Sequence, residues 1–199
     1  FTTTYSYDSW DASSGLVFTT ITDPNGKITR QGHDQYGRLV KSIDALGNAT
    51  TYAYARDLLS SISDGNNNVT SYTYDAYKRL TRTTFPDASH EDYEYSDLTL
   101  LGAKTDRKGQ RFDYHYDGLK RLTLSNFPPG YGGITFTYQG QKLTRVDNSN
   151  LSPVDSHFFG YDPSYRAVGI AESSRSTVNY TYTPDDRVAT MTVSGGPTT

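Results

Sequence analysis

Runs of five to eight residues rich in Tyr, Thr, Phe, Val and Ile alternate along the chain with clusters of Asp, Asn, Pro and Gly. The stretch "SYTYDAYKRLTRTTF" at 71–85 shows the pattern: aromatics two apart, a polar cluster, then a second Thr-rich run. Runs of that length and composition, bounded by turn residues, predict β-strands. No window keeps a 3.6-residue apolar period flanked by caps, so no helix is expected. The fold class read from the pattern is all-β.

The pattern repeats. With the second aromatic of each Tyr-x-Tyr pair as marker, it recurs at Tyr7, Tyr54, Tyr74, Tyr95, Tyr116, Tyr138, Tyr161 and Tyr182, with His33 filling the slot between the first two. The steps are 26, 21, 20, 21, 21, 22, 23 and 21 residues. Phe136 and Phe159 replace the first Tyr in two units. A period of this length marks a tandem array, read here as a single array of about nine units over residues 1–199. Within a unit the order is also regular. Asp follows the marker at Asp8, Asp34, Asp75, Asp117 and Asp162. Arg stands five after it at Arg38, Arg79, Arg121, Arg166 and Arg187, and an aliphatic follows at Leu39, Leu80, Leu122 and Val188. A second polar cluster closes the unit, as in "DPNG" at 23–26, "DALG" at 44–47 and "DRKG" at 106–109.

Both clusters have turn chemistry. An Asp side chain accepts from backbone N–H groups just ahead of it, and Gly three positions on tolerates the left-handed backbone. Lys78, Lys120 and Asp186 stand in that Gly slot, at a cost of about 1 kcal/mol each if the left-handed geometry is kept. Each unit is therefore expected to be a β-hairpin of about 21 residues. Tyr at i and i+2 share a face, and strands about 4.8 Å apart put successive Tyr strands roughly 10 Å apart with a Leu strand between. One hairpin cannot bury its own face, so each copy is the wall against which the next packs. The structural residues on this reading are Tyr52, Tyr54, Tyr72, Tyr74, Asp75, Arg79, Leu80, Tyr93, Tyr95, Tyr114, Tyr116, Asp117, Arg121, Leu122, Tyr180 and Tyr182. Nine antiparallel hairpins make a curved ribbon or part of a large coiled wall, because strand twist accumulates. The alternative is a β-propeller, whose four-stranded blades take about two such units.

Composition narrows the function. Hydrophobic residues are only 34% of the 199, yet 18 Tyr, 8 Phe and 1 Trp argue against disorder and for a thin, Tyr-built core. Net charge is −3 from 19 basic and 22 acidic residues mixed along the length, which gives no nucleic-acid footprint and no polybasic membrane patch. No run approaches the ~20 apolar residues of a membrane helix. Cys is absent, which removes disulfides and thiolate sites. The chain begins at Phe1, so it is expected to be a piece of a longer protein.

Candidate chemistry is thin. The Asp residues recur once per unit at turn positions, whereas a catalytic carboxylate pair is one particular pair at a set distance. Asp75/Arg79 and Asp117/Arg121 read as local ion pairs. His33, His90, His115 and His157 are scattered singly, without metal-ligand spacing. "DGNNN" and "DPNG" lack the spaced carboxylates of a calcium loop. No cofactor and no enzymatic activity are expected. An exposed Tyr stripe could instead stack on sugars, which keeps open a surface adhesin that binds carbohydrate or protein. Unpaired edges on the terminal hairpins predict edge-to-edge oligomers.

Tyr-x-Tyr-Asp, then Gly-Arg-Leu, then Asp-Pro-x-Gly resembles the YD repeat of the Rhs family, with "GHDQYGRLVKSIDALGN" and "YTYDAYKRL" the nearest matches. Related repeats occur in toxin-complex proteins and in animal teneurins. Several copies depart from the pattern: His33 replaces Tyr, Ala55 and Gln139 replace Asp, and "DLLSS" lacks the Arg. The resemblance implies a spiral β-shell in which a structural wall encloses a C-terminal toxin or effector polypeptide. The partners it implies are the rest of the chain's own protein and that effector. It further implies a secreted or cell-surface protein delivered by a bacterial secretion system. The family's core-associated segment and effector are not read before Thr199.

Overall fold

The computed structural model describes residues 2–150, 155–172 and 177–195. Every regular element among them is a strand, and the strands fall in two compact units, Phe1–Tyr93 and Glu94–Thr199. The first holds β1 (Thr4–Asp11), β2 (Leu16–Thr22), β3 (Ile28–His33), β4 (Leu39–Ile43), β5 (Ala49–Ala55), β6 (Leu58–Ser63), β7 (Val69–Tyr74) and β8 (Leu80–Thr84). β9 (His90–Tyr95) begins in it and ends in the second unit. The second continues with β10 (Leu101–Thr105), β11 (Arg111–Tyr116), β12 (Leu122–Asn126), β13 (Gly133–Gln139), β14 (Lys142–Asn148), β15 (Asp155–Tyr161), β16 (Ala167–Glu172), β17 (Thr177–Tyr182) and β18 (Val188–Ser194).

In the first unit each strand from β1 to β9 pairs antiparallel with the next. In the second, β10 to β18 do the same. The all-β hairpin array read from the sequence is therefore correct. A propeller would interrupt this pairing after every fourth strand; here it runs on without a break inside each unit, which removes that alternative.

The turns follow the Asp chemistry at both ends of the strands. At one end Asp34 N–H donates to Arg38 O at 3.0 Å, and Gly37 N–H donates to Asp34 O at 2.9 Å. The same pair of bonds recurs at Asp75, Asp117 and Asp162, and at the other end at Asp23, Asp44, Asp64 and Asp106. This is a type I turn followed by a left-handed residue. Lys78, Lys120 and Asp186 hold that residue at φ +64°, +63° and +63°, and so does Tyr165, which the sequence did not single out, at +66°. Two hairpins that lack the Asp close instead on two residues, Arg56–Asp57 and Gly140–Gln141.

The first hairpin corrects the sequence register. Asp8 lies inside β1 and bonds Arg30 at 2.9 Å. Asp11 opens the turn, accepting from Ser13 N–H at 3.0 Å, with Gly15 N–H on its carbonyl at 2.8 Å. Trp10 thus occupies the marker slot in place of Tyr7, and the irregular first step of 26 becomes 23 (33 − 10).

Within each unit the substantial strand contacts run between strands adjacent in sequence, so among the described residues no second layer of its own packs on the unit's sheet and the core is thin. Among the described residues, the buried hydrophobic side chains are Leu16, Phe18 and Ala103, and Thr83, Ser125 and Ser156 are buried with them. The Tyr pairs on β5, β7, β9, β11 and β17 are half-buried, not a closed core. Phe18 lies across Gly32 on the neighbouring strand, where a Cβ would come 2.8 Å from its ring; only glycine fits there.

Candidate functional site: the Tyr–Asp–Arg seam

The marker strands expose one face more than the other. In β5, β7, β11 and β17 the Tyr positions are half-buried and the residues between them exposed, as period-2 geometry requires. Tyr52 and Tyr54 sit on β5, Tyr72 and Tyr74 on β7, Tyr93 and Tyr95 on β9, Tyr114 and Tyr116 on β11, Tyr180 and Tyr182 on β17. Asp75 and Arg79 bound the turn before Leu80 on β8, and Asp117 and Arg121 the turn before Leu122 on β12. The first aromatic of a pair lies opposite a small or aliphatic residue on its hairpin partner: Tyr72 opposite Thr83, Tyr114 opposite Ser125, Tyr52 opposite Ile62.

The second aromatic does more than pack. The hydroxyls of Tyr54, Tyr74 and Tyr116 donate at 2.9 Å to the carbonyls of Leu39, Leu59 and Leu101, each on the preceding hairpin. Tyr138, Tyr161 and Tyr182 do the same at 3.0, 2.9 and 2.7 Å to Leu122, Leu143 and Ala167. Register explains why the carbonyl is available. An extra residue stands immediately after it in the second strand: Val40 after Leu39, Ser60 after Leu59, Thr123 after Leu122, Thr144 after Leu143, Val168 after Ala167. Such a bulge interrupts the ladder, and the phenol supplies the donor that the neighbouring strand does not. Burial, then the adjacent Tyr72 or Tyr114, raises the pKa of Tyr74 and Tyr116, so both stay neutral donors.

The turn Asp and Arg join the same seam. Asp34 Oδ1 accepts the N–H groups of Tyr36 and Arg38 at 2.9 and 3.0 Å, while Oδ2 accepts Arg38 Nε at 2.8 Å and Nη2 at 2.7 Å. Asp75 with Arg79 and Asp117 with Arg121 repeat this. The side-chain bond from Arg121, then its backbone N–H, holds the Asp117 carboxyl below the usual range against the opposing effect of burial. Held by its turn Asp, the guanidinium of Arg38 lies over Tyr54 at 4.7 Å, that of Arg121 over Tyr138 at 4.2 Å and that of Arg166 over Tyr182 at 4.6 Å, each ring belonging to the next hairpin, while Arg79 lies over Tyr77 of its own turn at 5.3 Å. Arg38 Nη1 also donates to Arg56 O, and Arg121 Nη1 to Gly140 O, which are backbone carbonyls in the two-residue turns of the next hairpins. One Arg thus closes its own turn and clamps the following hairpin.

Sequence reasoning took the Asp–Arg pairs as local to one hairpin and missed the hydroxyl–carbonyl bonds. The available signal was that the marker slot takes Tyr where the first aromatic slot also takes Phe. The arrangement staples each marker Tyr it reaches to the preceding hairpin through a hydroxyl–carbonyl bond or an Arg stacked on its ring. Among the described residues no group of three His, Asp or Glu could hold a metal ion, and no helix is long and apolar enough to cross a membrane.

The family described as RHS Repeat matches residues 13–49 and 54–90. No curated protein matches the chain by sequence. Among solved structures, the Photorhabdus luminescens Tc holotoxin pore contains a chain similar to this one, with TM-score 0.66 and 16% identity over 84% of this chain and 11% of that one. A TcdB2–TccC3–TEV crystal structure aligns with TM-score 0.66 and 16% identity over 88% of this chain and 12% of its own. A TcdB2–TccC3 structure aligns with TM-score 0.57 and 14% identity over 92% and 13%. This chain spans about an eighth of the length of those it matches.

Proposed function

We propose, from the premise that this chain belongs to the Rhs/YD-repeat family, that it is a non-catalytic wall segment of a shell enclosing a toxin or effector polypeptide. On this reading residues 1–199 are one array of nine hairpins within a longer protein, secreted or delivered by a bacterial secretion system. Its partners are then the rest of its own chain and the enclosed polypeptide. The observation that carries the reading is the seam: six marker Tyr hydroxyls take a carbonyl of the preceding hairpin, and Arg38, Arg121 and Arg166 reach forward over the next marker ring. A wall so stapled separates its two sides with few backbone groups left for a protease. In the full natural protein, the segment downstream of the repeats should resist trypsin until the wall is unfolded. Paired Arg121→Ala and Tyr138→Phe substitutions should then hasten its digestion. Digestion of that segment in the intact protein at the rate of the free polypeptide would overturn the proposal.

A second reading, a surface adhesin, draws on aromatics at the turn tips, where Tyr36 and Tyr77 are 73% and 67% exposed. Binding to cells that survives removal of both side chains would exclude these positions.

A further inference from the structure

One loop breaks the repeat. Between β12 and β13 the usual Asp turn is replaced by Phe127–Gly132, closed by Phe127 N–H to Gly132 O at 2.9 Å and Tyr131 N–H to Pro128 O at 3.0 Å. Its position is fixed from the side. Ser149 Oγ donates to Gly133 O at 3.0 Å and accepts Gly133 N–H at 2.8 Å. A Cβ on Gly132 would meet Ser149 and Asn150 at 2.8 Å, so glycine alone allows the approach. Tyr131 is left standing outward, 61% exposed.

Beneath it lies a hollow of about 360 Å³ lined by Lys108, Gln110, Phe112, Phe127, Tyr131 and Asn150. Phe112 and Phe127 meet edge to face at 6.0 Å and form an apolar floor. No carboxylate lines it. The Lys108 ammonium and the side-chain amides of Gln110 and Asn150 make no hydrogen bond or ion pair among the described residues. These are the parts a sugar requires: aromatic faces for its C–H side, planar amides for its hydroxyls, and here a single uncompensated cation. The volume is at the small end of ligand sites and suits one or two pyranose rings. Among the described residues no other hairpin combines these side chains.

We infer that the hollow between the Phe127–Gly132 loop and the β10–β11 turn is a binding site for a carboxylated sugar, with Tyr131 as the stacking platform and Lys108 as the carboxylate partner. The site is separate from the enclosing role, and its loss leaves protease protection of the downstream polypeptide unchanged. Sodium glucuronate and methyl glucoside are the probes, titrated into the chain while aromatic proton resonances are followed. Glucuronate is expected to shift Phe112, Phe127 and Tyr131 and to bind at least tenfold more tightly than the glucoside. Tyr131→Ala should abolish binding of both; Lys108→Gln should remove the preference for glucuronate. Tyr77→Ala, an equally exposed turn aromatic elsewhere, should change nothing, and an unaltered circular dichroism spectrum establishes that each variant folds. No shift with either sugar, equal affinity for the two, or shifts that survive Tyr131→Ala would overturn the inference, as would binding of a proline-rich peptide at this site in their place.

Discussion

Phenylalanine would fill the marker slot as well as tyrosine if packing alone decided it. In the units where Tyr fills the slot, the hydroxyl is what it adds, because the carbonyl it reaches lies half-buried and backbone acceptors in such places need a donor. Tyr116→Phe leaves Leu101 O without the bond it receives at 2.9 Å, and a lost bond of this kind costs about 1 kcal/mol. The same change at Tyr114, which lies opposite Ser125 on β12, should cost less. Urea midpoints of the two variants test this, and equal losses would mean that the hydroxyl does no specific work. Half of this was legible in advance. The spacing of Tyr72 and Tyr74 announced a shared face, but the acceptor for Tyr74 lies 15 residues away on another hairpin, where no local pattern points.

At the scale of the element, the hairpin is written almost entirely in local chemistry. Asp34 and Gly37 close a turn through contacts at most four residues apart, so the sequence could be read directly. The first hairpin misled because Asp8 and Asp11 are both available to open a turn, and only pairing of β1 with β2 chooses Asp11. Arg121 belongs to two elements at once, through Asp117 and through Tyr138. Lysine keeps the charge but cannot offer Nε and Nη2 together to one carboxylate while stacking on a ring. Arg121→Lys should therefore destabilise the chain by about 1 kcal/mol, in the range of a partly exposed cation–π contact plus ion pair. In a double-mutant cycle with Tyr138→Leu, the coupling should be of similar size; additive losses would show that the stack contributes nothing.

Across each unit, stability is spread along seams rather than stored in a core, and this has two consequences. The first is acid sensitivity. Hydrogen bonds from Ser13 and Ser14 lower Asp11 from 3.8 to about 2, and bonds from Asn48, Asn68 and Arg121 lower Asp44, Asp64 and Asp117. Folded-state values below the unfolded ones mean that the unfolded chain binds protons first as pH falls. The contribution is full above the ordinary value of 3.8 and is lost as pH drops through the folded values. The urea midpoint should hold steady from neutrality to about pH 5 and fall steeply between pH 4 and 2. A rise on acidification would contradict the origin assigned here. The second consequence concerns edges. Among the described residues β1 pairs only with β2 and β18 only with β17, and Val188, Met191 and Val193 on β18 are exposed. Strands left this way recruit others. Light scattering should show a mass that grows with concentration, and Met191→Lys with Val193→Lys should reduce the growth; a constant monomer mass would rule it out.

By itself the sequence determined the strands, the turns and their period, since alternation and Asp–Gly turns are set by residues within four positions of one another. It also determined the repeat, because similar words at about 21-residue spacing require no coordinates. Only the tertiary structure decided which carbonyl each Tyr takes, where the bulges fall, and that Arg38 and Arg121 reach forward to the next hairpin. Those contacts join residues 15 to 19 apart and depend on strand register, which is fixed by pairing and left no mark on the order of the letters. The hollow beside Tyr131 is the extreme case: its lining spans Lys108 to Asn150, and only folding makes those residues neighbours.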